Sequence, residues 1–163
     1  MAVLNVNPTR MELTRLKKQL STALRGHKLL KDKRDELMRQ FLDMIRETKT
    51  LREEVEERLK SVNNDFVLAS SVMSKEELDT ALLAPKQEVY LEASTRNVMS
   101  VDIPVYSFKT RTSEQSDIFS YGFASTSFEL DDAVSGLSDL LPKMLKLAEM
   151  EKSVKLMADE IEK

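Results

Sequence analysis

Side chains capable of chemistry are few in this chain of 163 residues, and their spacing excludes most of what they could do. His27 is the single histidine, so neither a His-based metal site nor a Ser-His-Asp relay can be assembled within one chain. Cysteine is absent, which rules out thiolate ligands and thiol nucleophiles and fits a reducing compartment. Gly26, Gly122 and Gly136 are the only glycines, too scattered for a phosphate-cradling GxxxxGK(S/T) loop or a dinucleotide fingerprint. Carboxylates are plentiful but fall on solvated helix faces, and nine methionines at helical spacing read as adaptable packing. The residues point to a noncatalytic chain without metal or cofactor.

Charge is the next signal. Net charge is −3, but residues 1–40 hold ten Lys or Arg against four Asp or Glu, while the remainder holds fifteen against twenty-four. Such asymmetry suits an anionic partner for the basic end: nucleic acid, anionic lipid or an acidic protein surface. Nucleic acid is disfavoured, because the basic residues surround the helix instead of forming one stripe, and no aromatic precedes Phe41. No stretch approaches 18 consecutive apolar residues, so nothing is expected to insert in a membrane. Residues 1–7 lack the basic-then-apolar plan of a signal peptide.

The elements that carry these charges are long helices. Apolar positions step by threes and fours through Leu13, Leu16, Leu20, Ala23, His27, Leu30, Arg34, Leu37, Phe41, Met44, Thr48, Leu51 and Val55. That heptad alternation belongs to a helix lying along another helix. His27, Arg34 and Thr48 are polar seam positions of the kind that set register and partner choice. After Val55 a step of four to Leu59 repeats where a three is due, a stutter that relaxes the supercoil. Thr9 and Glu12 fit a capping box at the start, and no proline follows before Pro85. The helix is expected to run about 60 residues, or about 90 Å.

Residues 74–127 differ in character. A short helix over 76–83 ends at Pro85, and two β-favouring runs, 88–93 and 98–103, flank a polar link at Ser94 to Asn97 suited to a hairpin. Residues 110–117 read as a polar loop, and 118–127 as a candidate third strand. A second long helix starts near Thr126 with a Thr-x-x-Glu cap and carries Leu137, Met144, Val154 and Ile161 on its seam. Pro142 inside it is expected to bend it, since an interior proline costs about 3 kcal/mol. The expected architecture is mainly α: two long helices in an antiparallel coiled coil, 9–73 and 128–163, with a hairpin-containing insert at 74–127. Helix lengths then leave the seam over 13–37 without a partner in the chain. Leu13, Leu16, Leu20, Leu24, Leu30 and Leu37 there would together forgo roughly 9–18 kcal/mol of burial. The expectation is that the natural polypeptide continues past Lys163; the alternative is a homo-oligomeric coiled-coil tether or scaffold.

The residues also resemble a family. The run from Asn7 to Leu13, then Arg15-Leu16-Lys17-Lys18, then the stretch from Arg25 through Gly26, His27 and Lys28 to Leu37, resembles the N-terminal signature of the D subunits of V/A-type ATPases. Leu141-Pro142-Lys143-Met144-Leu145-Lys146-Leu147-Ala148-Glu149 resembles that family's C-terminal helix. The resemblance implies the central rotor shaft of a rotary ion-translocating ATPase, without catalytic residues of its own. It implies as partners the catalytic and regulatory subunits of the ring, the small F subunit, and the funnel-shaped subunit above the membrane rotor. It also implies a cytoplasmic location, peripheral to the membrane, and places the basic helix inside the ring. There Arg10, Arg15, Lys17, Lys18, Arg25 and Lys28 would meet acidic loops.

Overall fold

The computed structural model describes residues 8–112, 114–124 and 126–162. The elements are α1 (Arg10–Val72), α2 (Lys75–Leu82), β1 (Val89–Val98), β2 (Val101–Thr110), a 3-10 turn (Gln115–Ile118) and α3 (Phe128–Ile161). The chain divides into two compact units, Met1–Gln40 and Phe41–Lys163. Residues 1–7, Ser113, Ser125 and Lys163, on which parts of the sequence reading fall, lie outside the described residues.

In the first unit, α1 opens where the Thr9 hydroxyl accepts the Glu12 N–H at 3.3 Å. Only this half of the expected capping box forms. The Glu12 carboxylate turns forward to the Arg15 guanidinium, a charge-assisted contact that outcompetes a backbone amide. One turn after another then carries local pairs, Arg34 with Asp35 and Arg39 with Glu36, while Met11, Leu13, Leu20, Leu24, Leu29 and Leu30 stay exposed.

In the second unit, α1 and α3 pack antiparallel. Val55, Val62 and Ala69 are buried at intervals of seven, so the step to Leu59 shifts only the flanking row of the seam. From α3 the buried residues are Leu130, Ala133, Leu140, Ser153 and Met157. Gly136 makes room for Val62, since a Cβ there would lie 2.7 Å from Val62 Cγ2. Arg52 Nε donates to Glu151 at 3.0 Å and Lys143 to Glu54, one pair on either side of the contact. Buried Ser153 keeps its hydroxyl satisfied by donating to the Glu149 carbonyl at 2.7 Å. The helix runs unbroken across Pro142, although its missing N–H deprives Ser138 of a donor.

The helices meet in a small junction core. Ala69, Ala81 and Leu130 form its centre, flanked by Met73, Leu78, Tyr121 and Val134. A capping box at Ser74 starts α2: Glu77 N–H donates to the Ser74 hydroxyl at 3.3 Å, and Ser74 N–H to the Glu77 carboxylate at 3.0 Å. Ser127, not Thr126, caps α3, accepting from Leu130 N–H at 3.4 Å; that puts Leu130 at the third helical position, so no reciprocal glutamate bond forms. The 3-10 turn Gln115–Ile118 lies mostly in the expected polar loop, and the described residues of the candidate strand 118–127 form no strand; the edge-to-face rings of Phe119, Tyr121 and Phe123 stand there instead.

The hairpin differs most from the sequence reading. Its turn lies at Met99 and Ser100, both left-handed with φ of 53° and 75°, and Ser94 to Asn97 belong to β1. The Asn97 side chain supplies the missing turn signal. It accepts from Ser100 N–H at 3.1 Å and donates to Asp102 at 2.6 Å. Both strands are ten residues long, in register from Val98 opposite Val101 to Val89 opposite Thr110. The β2 strand packs on α3, and its Val101 and Ile103 are buried.

Candidate partner-binding surfaces

The first candidate surface is the basic helix of the first unit. Arg10, Arg15, Lys17, Lys18, Arg25 and Lys28 are all exposed there. Arg15 is held by Glu12, whose hydrogen bond and charge raise the guanidinium pKa. Arg10, Lys17, Lys18, Arg25 and Lys28 form no ion pair among the described residues, leaving five cations available to an anionic surface. Further along, Arg39 and then Gln40 hydrogen-bond the Glu36 carboxylate and hold its pKa down at about 2.

Interleaved with these cations is the seam. Leu13, Leu20 and Leu30 are 53%, 60% and 70% exposed, and His27 and Arg34 are exposed with them. His27, Leu30, Lys31 and Arg34 line one shallow groove. Leu16 is half-buried and Leu37 buried. In the second unit Phe41, Leu51, Val154 and Ile161 are half-buried and Val55 buried. Leu137 and Met144 depart from the expected seam, for both point outward at 46% and 40% exposure. Their neighbours explain it, because Gly136 and Leu140 take the contact and Lys143 reaches Glu54.

Glu149 is a positioning residue that heptad reasoning missed. Its carboxylate accepts the Tyr106 N–H at 2.8 Å and the Lys146 ammonium at 2.5 Å, fastening the outer edge of β2 to α3. Burial pushes its pKa up, but the hydrogen bonds from Lys146 and Tyr106 outweigh that and leave it below the ordinary carboxylate value. The contact joins residues 43 positions apart, and no local pattern announces it. At the junction, burial and then the Asp131 carboxylate push the Tyr121 hydroxyl up. The hydroxyl and one Asp131 oxygen are both buried without reaching hydrogen-bond geometry.

No three His, Cys, Asp or Glu side chains gather as a metal site among the described residues. No helix among them is long and apolar enough to cross a membrane. What the geometry offers is surface for protein partners: an apolar seam edged with these cations, and a two-helix rod section with a hairpin fastened to its side.

These features define a class, the antiparallel two-helix proteins with a β-hairpin insert. The chain belongs to the ATP synthase D-subunit family, whose model matches residues 12–163. It is 61% identical over 163 residues to the V-type ATP synthase D subunit of Acetivibrio thermocellus, covering 100% of this chain and 73% of that protein. The corresponding protein of Clostridioides difficile is 60% identical with the same coverage. That of Clostridium novyi is 55% identical, covering 100% of this chain and 76% of its own length.

Proposed function

We propose that this chain is the noncatalytic central-stalk subunit of a rotary V/A-type ATPase, a shaft that couples nucleotide chemistry in a surrounding ring to ion translocation. Family membership supplies the complex. The observation that carries the shaft role is the exposed seam of the first unit, where Leu13, Leu20 and Leu30 stand among five cations that form no ion pair among the described residues. Such a surface requires a partner, and a ring of alternating catalytic and regulatory subunits with acidic inner loops fits its charge. The small F subunit and the funnel-shaped subunit would bind elsewhere along the shaft, on the cytoplasmic side of the membrane.

Mechanism follows from asymmetry. A single shaft inside a pseudo-threefold ring presents different faces to three catalytic sites. Each nucleotide state favours the orientation whose contacts it improves, and the shaft in turn biases nucleotide affinity by the same coupling free energy. The shaft itself only needs stiffness and an uneven surface.

The test is co-purification with the catalytic ring across a salt series. Replacing Arg10, Lys17, Lys18, Arg25 and Lys28 by alanine together is expected to weaken assembly at low salt and to flatten its salt dependence. Unchanged assembly at every salt concentration would refute the ring contact. The exposed seam also fits a homo-oligomeric coiled coil. Since the chain has no cysteine, efficient disulfide dimerisation of a Leu20→Cys variant, together with failure to join the ring, would favour that second reading.

A further inference from the structure

The two outer edges of the hairpin are treated very differently. In a hairpin closed by a two-residue turn, the closing pair Val98 and Val101 exchanges hydrogen bonds, and bonded pairs recur at every second position. The bond from Arg111 N–H to the Glu88 carbonyl, 2.9 Å, fits that phase. The intervening residues therefore direct both N–H and C=O outward. On β2 these are Asp102, Pro104, Tyr106, Phe108 and Thr110, and on β1 they are Val89, Leu91, Ala93, Thr95 and Asn97.

The β2 edge is closed. Pro104 has no N–H to offer, the Tyr106 N–H is taken by Glu149, and α3 packs alongside. The β1 edge carries no such device. It has no proline, and residues 89–97 are all exposed, with Leu91 at 51%.

The side chains of β1 indicate what would pair there. Glu92 and Arg96 are placed symmetrically about Ser94, as are Tyr90 and Val98. If two copies of β1 run antiparallel about Ser94, Glu92 of each faces Arg96 of the other. Ala93 then opposes Thr95 and Leu91 opposes Asn97, and all four belong to the outward-directed set. The same register thus adds Arg96 to a Glu92 carboxylate that already accepts from Lys109 of its own hairpin at 2.7 Å, and it pairs the outward backbone donors at the same time. Opposite charges directly across a strand pair are stabilising, whereas a parallel or shifted pairing loses the match.

We propose that strand β1 of this chain, outside an assembled complex, pairs antiparallel with β1 of a second copy about a twofold axis at Ser94, joining two hairpins into one four-stranded sheet. A lone two-stranded hairpin is marginal in water, and the wider sheet relieves that. The inference is independent of the rotor reading, because it concerns β1 and leaves the basic helix and its seam unused.

The absence of native cysteine makes the register directly readable by cross-linking. In the paired sheet, Ser94 of the two copies would be a non-hydrogen-bonded pair with Cα atoms about 4.5 Å apart, within disulfide range. Ser107, on the same face of β2, would sit about 20 Å from its counterpart, three strand spacings across and four residues along the strands. Full-length Ser94→Cys protein under mild oxidation is expected to give a disulfide dimer, and Ser107→Cys is not. Adding Ala93→Pro, which mimics Pro104 on the other strand and spares the intra-hairpin ladder, should abolish the dimer. Glu92→Arg should deplete it, and Glu92→Arg with Arg96→Glu should restore it. Circular dichroism of each variant confirms that the helices are intact. Equal cross-linking at both cysteines, or a Ser94→Cys dimer indifferent to proline and charge reversal, would overturn the proposal.

Discussion

The two units carry the same heptad pattern and meet opposite fates. In the first, the seam is built from leucines, and Leu20 and Leu30 stand 60% and 70% exposed. In the second, it is built from Val55, Val62 and Ala69, buried to 7% exposure or less against an α3 that carries Ala133 and Gly136. Periodicity thus states which face of a helix wants cover, but residue size states how close the cover comes. Small residues at Gly136 and Ala133 admit a neighbouring helix at short range, whereas the large leucines suit a broader partner surface.

The largest effect that tests this contrast is expected at Leu130, fully buried at the junction core. Leu130→Ala should destabilise the chain by about 2–5 kcal/mol in urea denaturation. Gly136→Ala should cost roughly 1–2 kcal/mol, because overpacking against Val62 outweighs the better helix propensity of alanine. Val62→Ala in the same chain should recover part of that loss, and a neutral Gly136→Ala would mean that the helices sit further apart than this packing implies. Ser74→Ala removes the capping box of α2 and should cost about 1 kcal/mol. Leu20→Ala should change the isolated chain by less than about 0.5 kcal/mol, while weakening its association with the ring. A large loss of chain stability from Leu20→Ala would erase the distinction between the units.

The smallest expected effect concerns pH. The folded Glu36 pKa lies near 2 against an ordinary value of 4.5. A lowered carboxylate pKa contributes stability that is fully present above the ordinary value and is lost as pH falls through the folded one. Helicity of the first unit should therefore decline between pH 4.5 and about 2, and Glu36→Gln should flatten that decline in circular dichroism.

Much of this is legible in the sequence, and the gaps have physical causes. The long helices follow from heptads that span whole turns, and Ser74 with Glu77 is a readable capping box that the apolar pattern overshadows. The hairpin turn is easily misplaced because Met99 and Ser100 lack the glycine that normally marks left-handed backbone, while Ser94 to Asn97 resemble a loop but face solvent from a strand. Leu137 and Met144 fall on the seam by spacing alone, whereas the contact shifts to Gly136, whose presence inside a helix is itself a sign of close approach. The basic residues of the first unit can be read directly. Glu149 cannot, since its bond to Tyr106 exists only after β2 and α3 come together.

The left-handed pair at the hairpin tip carries one more consequence. Non-glycine residues held at positive φ cost on the order of 1 kcal/mol or more each, and here the Asn97 bracket keeps them in place. Glycine at either position would ease the backbone but widen the range of shapes open to the unfolded tip. The protein thus exchanges local comfort for a fingertip of fixed outline, so whatever meets residues 97–102 encounters a single, already-formed contour.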